Sequence, residues 1–192
     1  MTENMLTDDT LPTVAQAAVS YAKLGWPVLP SAVWHDGAFV HPVTGEPVDD
    51  VPLRPREEAT TDVALVHQWW NAGGDFSPAI LGVTGPAFGV VSVSADRTEQ
   101  IMVHRWFTTR PTPVLVMPGM PIALFVVRPP FPAGFGQDEI RRFSDGSLVP
   151  LPPTTAGETT ATWLVSPWET EGKLLVAREF AELLNNLEKA GA

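Results

Sequence analysis

The sequence predicts an α+β fold built on a mixed sheet. Apolar runs come in pairs, 79–83 with 88–93 and 114–117 with 122–127, and each pair is closed by a short turn containing Gly and Pro. Apolar runs of this length bounded by turn residues read as buried strands, and neighbours joined by tight turns pair antiparallel. Segments with helical spacing lie before, between and after these pairs. Residues 88–93, 113–117 and 122–127 are expected to be adjacent central strands, because their apolar character is nearly continuous.

Residues 1–10 are polar and acidic and read as a flexible tail. From Thr13, the spacing of Val14, Ala17, Ala18, Tyr21 and Ala22 predicts a helix that Gly25 ends. Trp26 to Trp34 reads as a strand at an edge or bulge, given Pro27 and Pro30. His35-Asp36-Gly37 is a turn signal, with Ala38 to Val40 returning as a hairpin strand. Residues 41–60 are rich in proline and acid and read as a loop. Thr61 is the expected cap of a helix over 62–71, with Val63, Val66, His67 and Trp70 on one face. Asp96 and Glu99 have capping-box spacing and predict a helix running to Phe107. Leu148 to Leu151 and Ala161 to Val165 read as the last strands, and Lys173 to Ala190 as an amphipathic helix burying Leu174, Leu175, Phe180, Leu183, Leu184 and Leu187. The expected organisation is a tail over 1–10, a domain over 11–170, and a C-terminal helix over 171–192 packed upon it.

Composition narrows the function classes. The chain has 192 residues, 44% of them hydrophobic, and no cysteine. It can bury a real core, and disulfides, thiolate metal sites and cysteine nucleophiles are excluded. No apolar run reaches the ~18 residues of a membrane span, and the N-terminus lacks the pattern of a secretory signal, so a cytoplasmic protein without membrane contact is expected. The net charge is −10. Residues 1–96 carry 3 basic and 12 acidic side chains, residues 97–142 carry 6 and 3, and residues 143–192 carry 3 and 7. Only the middle segment could offer a phosphate backbone a positive surface, through Arg97, Arg105 and Arg110 above all. The alternative is that these are ordinary solvated arginines.

Common chemical motifs are missing: no Gly-rich phosphate loop ending in Lys-Ser/Thr, no His-Glu-x-x-His, no Gly-x-Ser-x-Gly. His35, His41, His67 and His104 are scattered, and only His35 and His41 lie close enough in sequence to suggest a shared ligand. More telling is a series of blocks: Tyr-Ala-Lys-Leu-Gly-Trp-Pro-Val-Leu-Pro (21–30), Ala-Thr-Thr-Asp-Val-Ala-Leu-Val-His-Gln-Trp-Trp (59–70), Ile-Leu-Gly-Val-Thr-Gly-Pro-Ala-Phe-Gly-Val-Val-Ser-Val-Ser-Ala-Asp (80–96), Arg-Pro-Thr-Pro-Val-Leu-Val-Met-Pro-Gly (110–119), and Asp-Gly-Ser-Leu-Val-Pro-Leu-Pro-Pro-Thr (145–154).

In this order the blocks resemble the N-terminal domain of bifunctional DNA primase–polymerases, of the archaeo-eukaryotic primase superfamily, over about residues 15–165. The resemblance implies a small α/β lobe packed on a mixed sheet related to the RNA-recognition motif. It also implies Asp-x-Asp or Asp-x-Glu at the end of a strand, holding two divalent cations for nucleotidyl transfer, a histidine on a following strand, and a third acid. Aligned from Gly89, the paired acids fall on Ser94 and Asp96, the histidine on Ile122 or Ala123, and the third acid on Arg141. Asp96 has a second reading, as the cap of the helix that follows.

The expectation is a noncatalytic primase–polymerase-like module with no metal and no cofactor, acting through an unknown protein partner or in regulation and binding DNA weakly or not at all. The alternatives are a nucleic-acid-binding relic, or a DNA primase/polymerase-type enzyme in which Asp138, Glu139 or Asp145 converges on Asp96 to rebuild a Mg²⁺ or Mn²⁺ site. Trp69 and Trp70 are expected to pack in the core or between lobes and not to stack on bases.

Overall fold

A computed structural model describes residues 13–49, 51–136, 140–143 and 145–191. The tail over 1–10, Asp138 and Glu139 lie outside the described residues. Helix α1 (Val14–Lys23) opens with a reciprocal capping box, in which the Thr13 hydroxyl accepts from the Gln16 amide at 3.2 Å and the Gln16 side chain accepts from the Thr13 amide at 2.8 Å. The expected strand over 26–34 is split. Strand β1 (Val28–Ser31) is fully buried, and β2 (Val33–His35) turns away to form a hairpin with β3 (Ala38–Val40). The hairpin turn holds Asp36 at φ 47° and Gly37 at φ 86°, the left-handed pair that a two-residue hairpin requires.

A short 3₁₀ turn (Arg56–Glu58) precedes α2 (Val63–Trp70). Its cap is Asp62 and not Thr61: the carboxylate accepts from the amides of Ala64 and Leu65 at 2.8 and 3.2 Å, a position one residue closer to the first turn. Val66, Trp69 and Trp70 are its buried residues, while Val63 and His67 are exposed. Next come β4 (Ala79–Val83) and β5 (Gly89–Ser94), then α3 (Ala95–Val103) and α4 (Arg105–Thr109). The single helix expected to Phe107 breaks at His104, whose extended backbone lets its ring nitrogen accept from the Trp106 amide and start the second helix. The remaining strands are β6 (Val114–Val116), β7 (Ile122–Arg128), β8 (Arg141–Phe143), β9 (Leu148–Pro150), β10 (Thr155–Ala156), β11 (Thr159–Thr160), β12 (Thr162–Val165) and β13 (Leu175–Val176). The C-terminal helix α5 spans Ala177–Gly191, four residues shorter at its start than the apolar pattern suggests, because Leu175 and Val176 add to β7 as a parallel strand.

Two sheets result. The smaller, β1-β4-β9, is antiparallel; the larger runs β12-β6-β7-β5-β8, also antiparallel, with β13 alongside β7. Strand β7 lies between β6 and β5, as their apolar continuity predicted. Alternation sorts the larger sheet's side chains onto two faces. Val91, Val93, Val114, Ala123, Phe125 and Val127 pack beneath α3, α4 and α5 with Ile101, Phe107, Phe180, Leu183 and Leu184. Val90, Leu115, Leu124 and Val126 face the other way, into a core shared with α1, α2 and the smaller sheet.

Aromatic rings tie this second core together. Tyr21 stacks on Trp26 with centroids 5.8 Å apart, and Trp26 meets Phe88 at 5.0 Å and Trp163 at 6.2 Å. The Tyr21 hydroxyl donates to the Pro152 carbonyl at 2.6 Å and accepts from the Trp163 indole at 2.9 Å. Burial pushes its pKa well above the usual tyrosine value, and the Trp163 hydrogen bond offsets only part of that.

Candidate functional site

The site grows from the alternation of β5. Gly89 to Ser94 pairs along its whole length with β7, and Val90 to Ser92 also pairs with β8. Residues directly opposite across strands share a face. Ser92 therefore lies beside Leu124 on one side and Arg141 on the other, and Ser94 lies beside Ile122. All of these are on the face turned toward the smaller sheet. Arg141 is the direct neighbour of Ser92 and the diagonal neighbour of Ser94.

Ser94 ends the strand and caps α3. Its backbone is extended, the Thr98 hydroxyl donates to its carbonyl at 2.8 Å, and the amide of Ala95 is held by the Pro121 carbonyl at 3.0 Å. The helix thus begins two residues before the expected Asp96 cap. Asp96 sits in the first turn, exposed, where its charge suits the positive end of the helix. The strand-end pair on a common face is accordingly Ser92 and Ser94, with Asp96 already on the helix. Ser92 escaped the sequence reading; counting back by two from Ser94 along a strand is the signal that finds it.

Asp145 does not reach this end of β5. Asp145 follows β8 beyond Phe143, which pairs with Val90, so it lies toward the start of β5, and Val90 and Ser94 are separated by about 13 Å of strand. There Asp145 lines a separate pocket of about 650 Å³ with Arg142, Pro86, Pro130 and Phe131. Among the described residues, no group of three His, Asp or Glu side chains is placed to hold a metal ion. The histidines are bound into local structure: His41 accepts from the Val43 amide at 3.2 Å, His104 caps α4, His35 lies 3.3 Å from Asp36, and His67 lies 3.2 Å from the Asn71 amide.

The three candidate phosphate-binding arginines are distributed over α3 and α4. Arg97 is half-buried, and Arg105 is exposed. Arg110 is drawn toward α5 by Glu179 at 3.3 Å, and its guanidinium lies 5.1 Å from the centre of the Trp106 ring. Trp69 and Trp70 are buried, Trp70 donating to the Pro78 carbonyl at 2.8 Å and Trp69 lying under Arg54 at 4.8 Å. Neither is placed as a stacking platform.

A helix-backed sheet, faced on its other side by a smaller α/β lobe and carrying its candidate site at the end of β5, is in line with the architecture that the sequence resemblance implied for primase–polymerases. The family model for the bifunctional DNA primase/polymerase N-terminal domain matches residues 18–183, and the chain belongs to this family. No curated protein and no solved structure matches the chain. Among the described residues, no helix is long and apolar enough to cross a membrane.

Proposed function

We propose that the chain is a noncatalytic primase–polymerase-like module that acts through protein interaction or in regulation. One observation carries this reading: the cleft face at the end of β5 is built from Ser92, Ser94, Ile122, Leu124 and Arg141. Two-metal transfer needs carboxylates that bridge cations roughly 3.5–4 Å apart and offset phosphate charge. Mg²⁺ favours carboxylate and phosphate oxygens, and a neutral hydroxyl supplies no charge. Arg141 in the same neighbourhood opposes a cation. Among the described residues at this end of β5, Asp96 offers a single exposed carboxylate, on the adjoining helix. Crystals soaked in Mn²⁺ with nucleotide are expected to show no anomalous peak at the end of β5. An ion held there by Asp96 and a second carboxylate would overturn the proposal.

The charge distribution favours a protein partner over DNA. Residues 97–142 hold six basic and three acidic side chains against a net −10 for the whole chain, and Arg110 is engaged with Glu179. Affinity for duplex DNA falls with salt at a log–log slope of roughly −0.9 per neutralised phosphate. Few phosphates can be neutralised here, so binding to single- and double-stranded oligonucleotides should be weak and lost between about 50 and 200 mM salt. Submicromolar binding that persists at the upper end of that series would favour the nucleic-acid-binding relic.

A further inference from the structure

We infer that the pocket beside the start of β5 binds a free α-amino acid with a large apolar side chain, Arg142 taking its carboxylate, Asp145 its ammonium group and Phe131 its side chain. This pocket is at the opposite end of β5 from Ser92 and Ser94, so the inference goes beyond the function proposed above and does not depend on it. Its volume of about 650 Å³ lies within the range of roughly 300–1,000 Å³ that small-molecule sites occupy. Pro86, Pro129 and Pro130 wall it with rings and supply no backbone N–H. Phe131 adds an aromatic surface, stacked on Phe135 with centroids 5.7 Å apart and planes 13° apart. Gly89 lets that ring lie against β5: a Cβ at this position would meet it at 2.7 Å, closer than real Cβ atoms come.

Gly89 and Val91 share one face of the sheet, and Arg142 is in register with Val91, so Arg142 stands beside Phe131 on that face. Asp145 lines the same pocket from the turn that follows β8. The two charges are opposite, yet they form no ion pair with each other. Among the described residues neither side chain has a hydrogen-bond or ion-pair partner. Other exposed arginines are engaged: Arg54 with Glu58, Arg110 with Glu179 and Arg178 with Glu182. An open guanidinium and an open carboxylate flanking one apolar surface match a ligand that carries both charges and an apolar body. A neutral side chain presented by a partner protein would cover both charges without compensating either. A free amino acid carries a carboxylate and an ammonium group on one carbon, so it satisfies Arg142 and Asp145 together through charge-assisted hydrogen bonds.

The test is calorimetric titration of the full chain in EDTA with four probes: L-phenylalanine, phenylpropanoate, phenethylamine and N-acetylphenylalanine amide. L-Phenylalanine is expected to bind saturably and about tenfold tighter than either singly charged analogue, since each lacks one charge-assisted contact. Arg142→Gln should weaken phenylalanine and phenylpropanoate about tenfold and spare phenethylamine. Asp145→Ser should weaken phenylalanine and phenethylamine and spare phenylpropanoate. Gly89→Ala, which forces the Phe131 ring aside, should weaken all three with both charges intact. Arg178→Gln, on the exposed face of α5, should change none of them. No saturable phenylalanine binding, or equal losses of the acid and the amine from Arg142→Gln, would overturn the inference. N-acetylphenylalanine amide binding as tightly as phenylalanine would overturn it too, and would assign the pocket to a side chain of a partner protein. The titrations contain no free divalent ion, so metal-dependent primer extension would sink the noncatalytic reading and leave this site standing.

Discussion

Trp26→Ala is expected to cost about 3–5 kcal/mol. Trp26 is 2% exposed and is the ring on which the second core converges: Tyr21 from α1, Phe88 before β5 and Trp163 from β12 all touch it. Truncation would remove a large apolar surface and leave a cavity between the smaller lobe and the larger sheet, bordered by secondary structure that cannot collapse to fill it. Trp168→Ala is the control. That ring also stacks on Tyr21, at 5.7 Å, but is 44% exposed, so its loss should cost about 1 kcal/mol or less. Urea unfolding of the two variants separates the expectations; similar midpoints would mean that the lobes are not joined through Trp26.

Alkaline pH is expected to unfold the protein through Tyr21. Its folded pKa is raised by burial above the value of about 10 that an exposed tyrosine shows. The unfolded chain therefore loses the phenolic proton first as pH rises. Stability from this group is fully present below about 10 and is lost progressively as pH climbs from there through the folded value. Tyr21 is the only tyrosine in the chain, so tyrosinate absorbance reports on it without overlap. That absorbance should rise together with the loss of circular dichroism. Tyr21→Phe should give up about 1–3 kcal/mol at neutral pH, for the lost bonds to Pro152 and Trp163, and should no longer show tyrosinate-linked unfolding. Titration near pH 10 with the fold intact would mean that the hydroxyl reaches solvent.

Much of the frame was legible because single physical signals decide it. The runs 114–117 and 122–127 became the adjacent strands β6 and β7, and helical spacing from Thr13 marked the start of α1, but 79–83 and 88–93, read as a hairpin pair, part into different sheets as β4 and β5. Legibility failed where two signals overlap. Leu174 and Leu175 fit the apolar stripe of a C-terminal helix, but Leu174 precedes any element, and a backbone bond from Leu175 to the Thr112 hydroxyl with pairing to Val127 holds Leu175 as strand. Strand β8 was missed because Arg141 and Arg142 are exposed edge residues without apolar alternation. At the candidate site the difficulty was which polar residue caps α3. Ser94 and Asp96 are both good caps by type, and only the backbone turn at Ser94 distinguishes them. That shift of two residues moves the pair on the cleft face to Ser92 and Ser94.

Primer extension by the full chain, with Mg²⁺ or Mn²⁺ and deoxynucleotides, tests the central claim most directly. A face of Ser92, Ser94, Ile122, Leu124 and Arg141 predicts no metal-dependent incorporation, and none that changes in Asp96→Asn. Extension that requires the metal and disappears in Asp96→Asn would show a working acidic site and contradict it.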